Sequence, residues 1–132
     1  MPEADPVALP TRFTLCGDGG SAACVIDGDT VAIGGFGKDA RRIRFTGFDA
    51  PELDGPCEAE REAALRARRA LADWLNAAPA HVDGGEEPPR DRYGRELRAA
   101  TRADGTTLAD HMLDRGLASE SGWGATLRDW CG

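Results

Sequence analysis

Between residues 57 and 75 the hydrophobic period changes, and that change limits the possible folds more than any other feature. Ala64, Ala67, Leu71, Trp74 and Leu75 recur at helical spacing, with glutamates early and arginines later, the order a helix dipole favours. This is the one long helix the sequence predicts, and what precedes it reads as β. Residues 12–16 alternate. Residues 24–33 carry β-branched Val25, Ile26, Thr30, Val31 and Ile33 and read as a second strand. Glycine-rich residues 34–39 turn the chain into a third strand over 41–48, with Ile43, Phe45 and Gly47 on one side and Arg42 and Arg44 on the other. Pro51 stops it. After the helix come a proline- and glycine-rich loop with a short edge strand at 81–83, a turn at Tyr93 and Gly94, a strand over 96–101, and a short helix over 108–118 closed by Gly116. This order predicts a mainly β fold with helices, a five-stranded OB-fold barrel with one long and one short packed helix.

A chain of 132 residues is one domain by length, with an N-terminal extension over 1–11 and the folded unit over 12–132. No apolar run approaches the roughly 18 to 20 residues that span a bilayer, and the first ten residues carry acids where a signal peptide carries bases, so neither membrane insertion nor an export signal is expected. A net charge of −7 argues against coating nucleic acid by bulk electrostatics. Residues 90–102 nevertheless hold five arginines against Asp91 and Glu96, a local basic surface suited to a discrete phosphate-handling site. Fifteen of the sixteen basic residues are arginine, which base-composition bias can explain. Their placement needs another reason.

Cys16, Cys24, Cys57 and Cys131 match no zinc-site spacing. Two disulfides are expected. Of the three connectivities, Cys16 with Cys24 and Cys57 with Cys131 is favoured, since the first closes a glycine-rich loop and the second ties down the chain end. If formed, the disulfides imply an oxidising, extracytoplasmic compartment, periplasmic or secreted; with no export signal in view, four free thiols are the alternative.

Asp29, Asp49 and Glu52 lie at the edges of predicted strands. If those strands are neighbours, Asp29 and Asp49 approach each other, and two close carboxylates stay ionised only with a cation between them. Hard oxygen ligands beside backbone carbonyls point to Ca²⁺. An EF-hand fails, because it would put Ala50 and Arg61 at ligand positions. Arg44 points to the same face as the acids if the alternation holds, and Arg95 follows a tight turn. Forked guanidinium groups of this kind stabilise charge on a phosphodiester under attack.

CVIDGDTVAI, RIRFTGFDAPE and DRYGR, in this order, resemble the staphylococcal nuclease (thermonuclease) family, and LADHMLDRGLA resembles that family's helix ending in GLA. The resemblance spans residues 12–118. It implies that Asp29 and Asp49 ligate Ca²⁺ with the Ala50 carbonyl as third ligand, where the family often has threonine. Glu52 would be the general base for the attacking water, and Arg44 and Arg95 the pair that grips the phosphate. Arg92 and Tyr93 are expected to contact substrate. The implied fold is an OB barrel and the implied reaction hydrolysis of DNA or RNA to 3′-phosphate ends, by a monomer. Asp27 is expected to serve a turn or support the first ligand, and Asp91 to fix its hairpin.

The chain departs from that family in places. LDGPC is shorter than the family's mobile loop and lacks its lysines, which predicts weaker affinity for long polymers. Tyrosines that stack on a base are missing after Gly116, and Trp123 is expected to pack rather than replace them. The last helix is largely missing too, and the bridge from Cys57 to Cys131 could stand in for it. His81 and His111 are expected to be bystanders. The competing expectation is a binding module that keeps the barrel without catalysis.

Overall fold

The computed structural model describes residues 6–18, 22–35, 40–122 and 127–132. The strands are β1 (Val7–Ala8), β2 (Thr14–Leu15), β3 (Ala23–Asp27), β4 (Thr30–Ile33), β5 (Arg41–Phe45), β6 (Ala80–Val82), β7 (Glu96–Arg98) and β8 (Ala100–Arg102). Helix α1 spans Glu58–Ala77 and α2 spans Leu108–Asp114. Two sheets result, a five-stranded one in the order β2-β3-β4-β5-β7 and a three-stranded one in the order β1-β6-β8. The mainly β character and the pair of helices agree with the sequence periods. Among the described residues no pairing closes either sheet on itself.

Residues 24–33 are a hairpin rather than the single strand their β-branched run predicts. The Asp27 carboxylate accepts a hydrogen bond from the Asp29 amide at 3.2 Å, and β3 returns antiparallel as β4 with Val25 opposite Val31. Gly28 is required at the turn, because a Cβ there would lie 2.7 Å from the Ala67 Cβ and 2.8 Å from the Ala50 Cβ. An Asp-Gly pair between β-branched residues is a hairpin signal, and it lay inside the run. The third strand ends at Phe45, three residues early, since Gly47 turns the backbone with φ +96°.

The strand predicted over 96–101 breaks at Ala99. β7 runs parallel to β5, while β8 runs antiparallel to β6, so the chain steps from one sheet to the other there. The Ala99 amide, which neither ladder holds, donates to the Asp83 carboxylate at 2.7 Å. β1, within the segment read as an extension, pairs with β6, and Leu9 joins the core.

Helix α1 begins one residue later than its apolar stripe suggests, because Cys57 is the N-cap. It ends before Pro79, which forces Ala78 into an extended conformation. Its apolar face, including Ala67, Leu71 and Leu75, shares one core with Val25, Val31, Ile43 and Phe45 of the larger sheet. Asn76 fixes the register between helix and sheet: it donates to the Phe13 carbonyl at 2.8 Å and accepts from the Phe13 amide at 2.7 Å. Helix α2 is capped by Thr107, and Gly116, just past its C-cap, has the positive φ that this ending needs.

The disulfides are Cys16–Cys24 and Cys57–Cys131, the favoured pairing. Loop-closure arithmetic assigns them roughly 2.5 and 4.5 kcal/mol. The second ties residues 127–132 to the start of α1. No helix among the described residues is long and apolar enough to cross a membrane. Trp123 and the predicted turn residues 36–39 lie outside the described residues.

Candidate functional site

Alternation along β5 buries Ile43 and Phe45 and turns Arg44 outward. There its guanidinium meets three pieces of chain. Nη1 donates to the Phe48 carbonyl at 3.1 Å and also to the Phe45 carbonyl. Nη2 lies 3.3 Å from the Asp29 Oδ2 and pairs with Asp49. Two carboxylates from the hairpin turn and from the loop after β5 therefore meet on one nitrogen. The same Asp29 oxygen accepts from the Ala50 amide at 3.0 Å, and its partner oxygen from the Thr30 hydroxyl at 3.0 Å.

Backbone bonds hold these pieces in place. The Phe45 amide donates to the Asp29 carbonyl at 2.8 Å. Asp49 exchanges two bonds with Ser119, at 2.9 and 2.8 Å, which anchors the chain beyond α2 on the acidic loop.

Charge in this corner is unbalanced. Burial first, and then the charge of Asp27, raise the Asp29 carboxyl to about 6, and the opposing pull of Arg44 does not restore it. Partial burial and the charges of Asp29, Asp54 and Glu60 likewise push Glu52 above the usual carboxylate range, with Arg44 pulling back. One arginine thus faces several acids. Asp27 has the turn role expected of it and adds to the excess.

Among the described residues no three His, Cys, Asp or Glu side chains come together closely enough to hold a metal unaided. A cation here would use the Asp29 and Asp49 carboxylates, with backbone carbonyl oxygen such as that of Ala50 and water completing its shell. That donor set suits a hard cation such as Ca²⁺.

Arg95 enters from the start of β7. It shares with Arg44 a cleft of about 260 Å³ that Thr46, Asp49, Asp91 and Ser121 also line. Its Nε is taken by Asp91, at 2.6 Å. Asp91 also accepts from the Tyr93 and Arg95 amides at 2.9 and 3.0 Å, so it does fix its hairpin. Tyr93 is exposed at the tip, with the Arg92 guanidinium 4.9 Å from its ring centroid. Arg92 and Tyr93 do not line the cleft.

The basic surface expected over 90–102 is only partly a surface. Arg98 is buried, bound to buried Glu96 at 2.9 Å, and Arg102 lies on the Trp74 ring and donates to the Trp74 carbonyl at 2.8 Å. A larger cavity of about 410 Å³ adjoins Trp74, Arg102, His111 and Arg115. His111 there accepts from Arg115 at 3.3 Å, and burial, then Arg115 and Arg102, keep it below its usual range. His81 pairs with Thr101 across β6 and β8.

One residue the sequence reading passed over touches the candidate base: the Glu60 carboxylate accepts from the Glu52 amide at 3.0 Å. The signal was an acid three residues past Cys57, the spacing of a helix N-terminal box.

No protein-family model matches the chain. It is similar to the succinoglycan biosynthesis protein ExoI of Rhizobium meliloti (strain 1021), with 36% identity over 98 residues. The match covers 73% of this chain and 49% of that protein, so the chain spans about half the length of this curated relative.

Proposed function

We propose that the protein is a Ca²⁺-dependent phosphodiesterase that hydrolyses DNA or RNA by water attack and leaves 3′-phosphate ends. The observation that carries this reading is the meeting of Asp29 and Asp49 on Arg44, in a corner with more acid than base beside Glu52. Asp29, Asp49 and the Ala50 carbonyl would hold the cation. When bound, it supplies positive charge to the acids and to the phosphate.

The chain's own groups do the rest. Glu52 takes the proton of the attacking water, and its raised carboxyl range makes it a better base near neutral pH. Arg44 and Arg95 face one cleft and present guanidinium edges to a phosphate, which would compete with Asp49 and Asp91 for them. The cleft is open to solvent-borne substrate, and exposed Tyr93 with Arg92 offers a flat ring and a charge at its approach. The architecture we attach to this function is the OB barrel, in which the step from β7 to β8 at Ala99 joins the two sheets. With two disulfides, an extracytoplasmic site of action goes with it. The protein would act as a monomer.

The second reading, a nucleic-acid-binding module without catalysis, draws on one feature: both arginines are already engaged by carboxylates. The relative's name places that protein in succinoglycan biosynthesis, which suggests adding a glycan to the substrates.

The test is to incubate the protein with single-stranded DNA, RNA and succinoglycan, with Ca²⁺ or with a chelator, beside a Glu52→Gln variant. Cleavage of nucleic acid that needs Ca²⁺ and falls at least about 10²-fold in the variant is expected. Cleavage indifferent to both would end the mechanism, and binding without cleavage would favour the module.

A further inference from the structure

We infer that Glu60 is a positioning residue: its carboxylate fixes the main chain of Glu52, and so aims the candidate base from the first turn of α1. The inference rests on the phosphodiesterase reading for its functional meaning and on the hydrogen bonds for its structural one.

Glu52 lies on an exposed stretch between β5 and α1, where a side chain would ordinarily sample many orientations. Here its main chain is held on both sides. Its amide donates to the Glu60 Oε2 at 3.0 Å, and its carbonyl accepts from the Gly55 amide at 3.1 Å. Gly55 is pinned in turn, because its carbonyl accepts from Arg61 at 2.8 Å. Glu60 packs so closely on Gly55 that a Cβ there would lie 2.7 Å from the Glu60 Cδ.

An ordinary helix cap does not account for this geometry. In a capping box the acid three residues into the helix bonds back to the amide of the N-cap itself. Cys57 performs the forward half, its Sγ accepting from the Glu60 amide at 3.4 Å. The Glu60 carboxylate, however, reaches past Cys57 to residue 52. Because Cys57 is also joined to Cys131, the turn that carries Glu60 is fastened to the chain end as well.

Glu60 is also a negative charge beside a negative charge. The charges of Asp29 and Asp54 act on the Glu52 carboxyl ahead of that of Glu60, so the anchor is the amide hydrogen bond and not the charge. Misplacing a catalytic group by about 1 Å can cost on the order of 10²-fold in rate, so an anchor of this kind has a measurable effect.

The experiment compares Glu60→Ala and Glu60→Gln with the unaltered protein. Steady-state cleavage of single-stranded DNA in Ca²⁺ gives kcat and KM, and amide hydrogen exchange follows the Glu52 N–H, with the Leu97 N–H as an internal reference. Glu60→Ala is expected to lower kcat about tenfold or more with KM within about twofold, and to speed Glu52 exchange about tenfold while Leu97 is unchanged. Glu60→Gln keeps an oxygen for the amide and is expected to retain most of both. Equal losses in the two variants, or unaltered kcat and exchange in Glu60→Ala, would overturn the inference. If the unaltered protein cleaves nothing, the phosphodiesterase reading fails alone, and the exchange rates still decide whether Glu60 anchors Glu52.

Discussion

Strand β5 carries Arg41 at one end and Arg44 near the other, and the two arginines meet carboxylates under opposite conditions. At the first end, one acid faces two bases. Glu96, 1% exposed, accepts from Arg41 at 2.9 and 3.0 Å and from Arg98 at 2.9 Å. Arg41 first, then Arg98, hold it at about 2 in spite of burial. At the other end, several acids share Arg44, and Asp29 is raised to about 6. Similar groups in one sheet thus give a satisfied ion network and a corner short of positive charge. The first supports the fold. The second is the corner to which the proposed phosphodiesterase reading assigns a cation.

The two arginines should separate cleanly in a cleavage assay read beside urea unfolding. Arg44→Ala is expected to lower cleavage by about 10²-fold or more. Arg41→Ala is expected to leave kcat within about twofold and to cost about 1 to 3 kcal/mol of stability. Equal effects on cleavage would remove the contrast. Glu96→Ala should cost about 3 kcal/mol or more, since it leaves Arg98 buried without its acid.

The acid limb of the stability curve reads the same network. The Glu96 carboxyl is depressed from 4.5 to about 2, so its contribution is complete above about pH 4.5 and is lost as pH falls through 2, about 3 kcal/mol in all. In Glu96→Gln that part of the acid loss should vanish. The smallest effect has the opposite sign. Asp29 is raised from 3.8 to about 6, so its folded state is favoured below pH 3.8 and loses that advantage as pH rises through 6. Asp29→Asn should therefore stabilise the protein at neutral pH without Ca²⁺, by about 1 to 2 kcal/mol, while Ca²⁺ no longer raises its melting temperature.

Much of this contrast was legible in the residues, though not all of it. Alternation over 41–45 shows which way Arg44 points, and the stripe from Ala64 to Leu75 shows which face of α1 is covered. The pairing of the four cysteines followed from which loops they close. The hairpin at Gly28 was hidden because β-branched residues continue on both sides of the turn, so strand propensity outweighed the Asp-Gly signal. Arg98 looked like part of a basic surface because charge along a sequence does not reveal that Glu96 is buried with it and paired with Arg41, which lies 55 residues from Glu96. Glu60 has a related explanation: its spacing from Cys57 signals a helix N-terminal box, but its carboxylate bonds the main chain of residue 52, which that spacing does not reveal.

The most direct test is to follow the side-chain carboxyl resonances of Asp29 and Glu96 through a pH titration by NMR, with and without Ca²⁺. Asp29 is expected to titrate near 6 without the cation and markedly lower with it, while Glu96 stays near 2 in both. An Asp29 that titrates near 4 and ignores Ca²⁺ would contradict the idea of a corner built to receive positive charge.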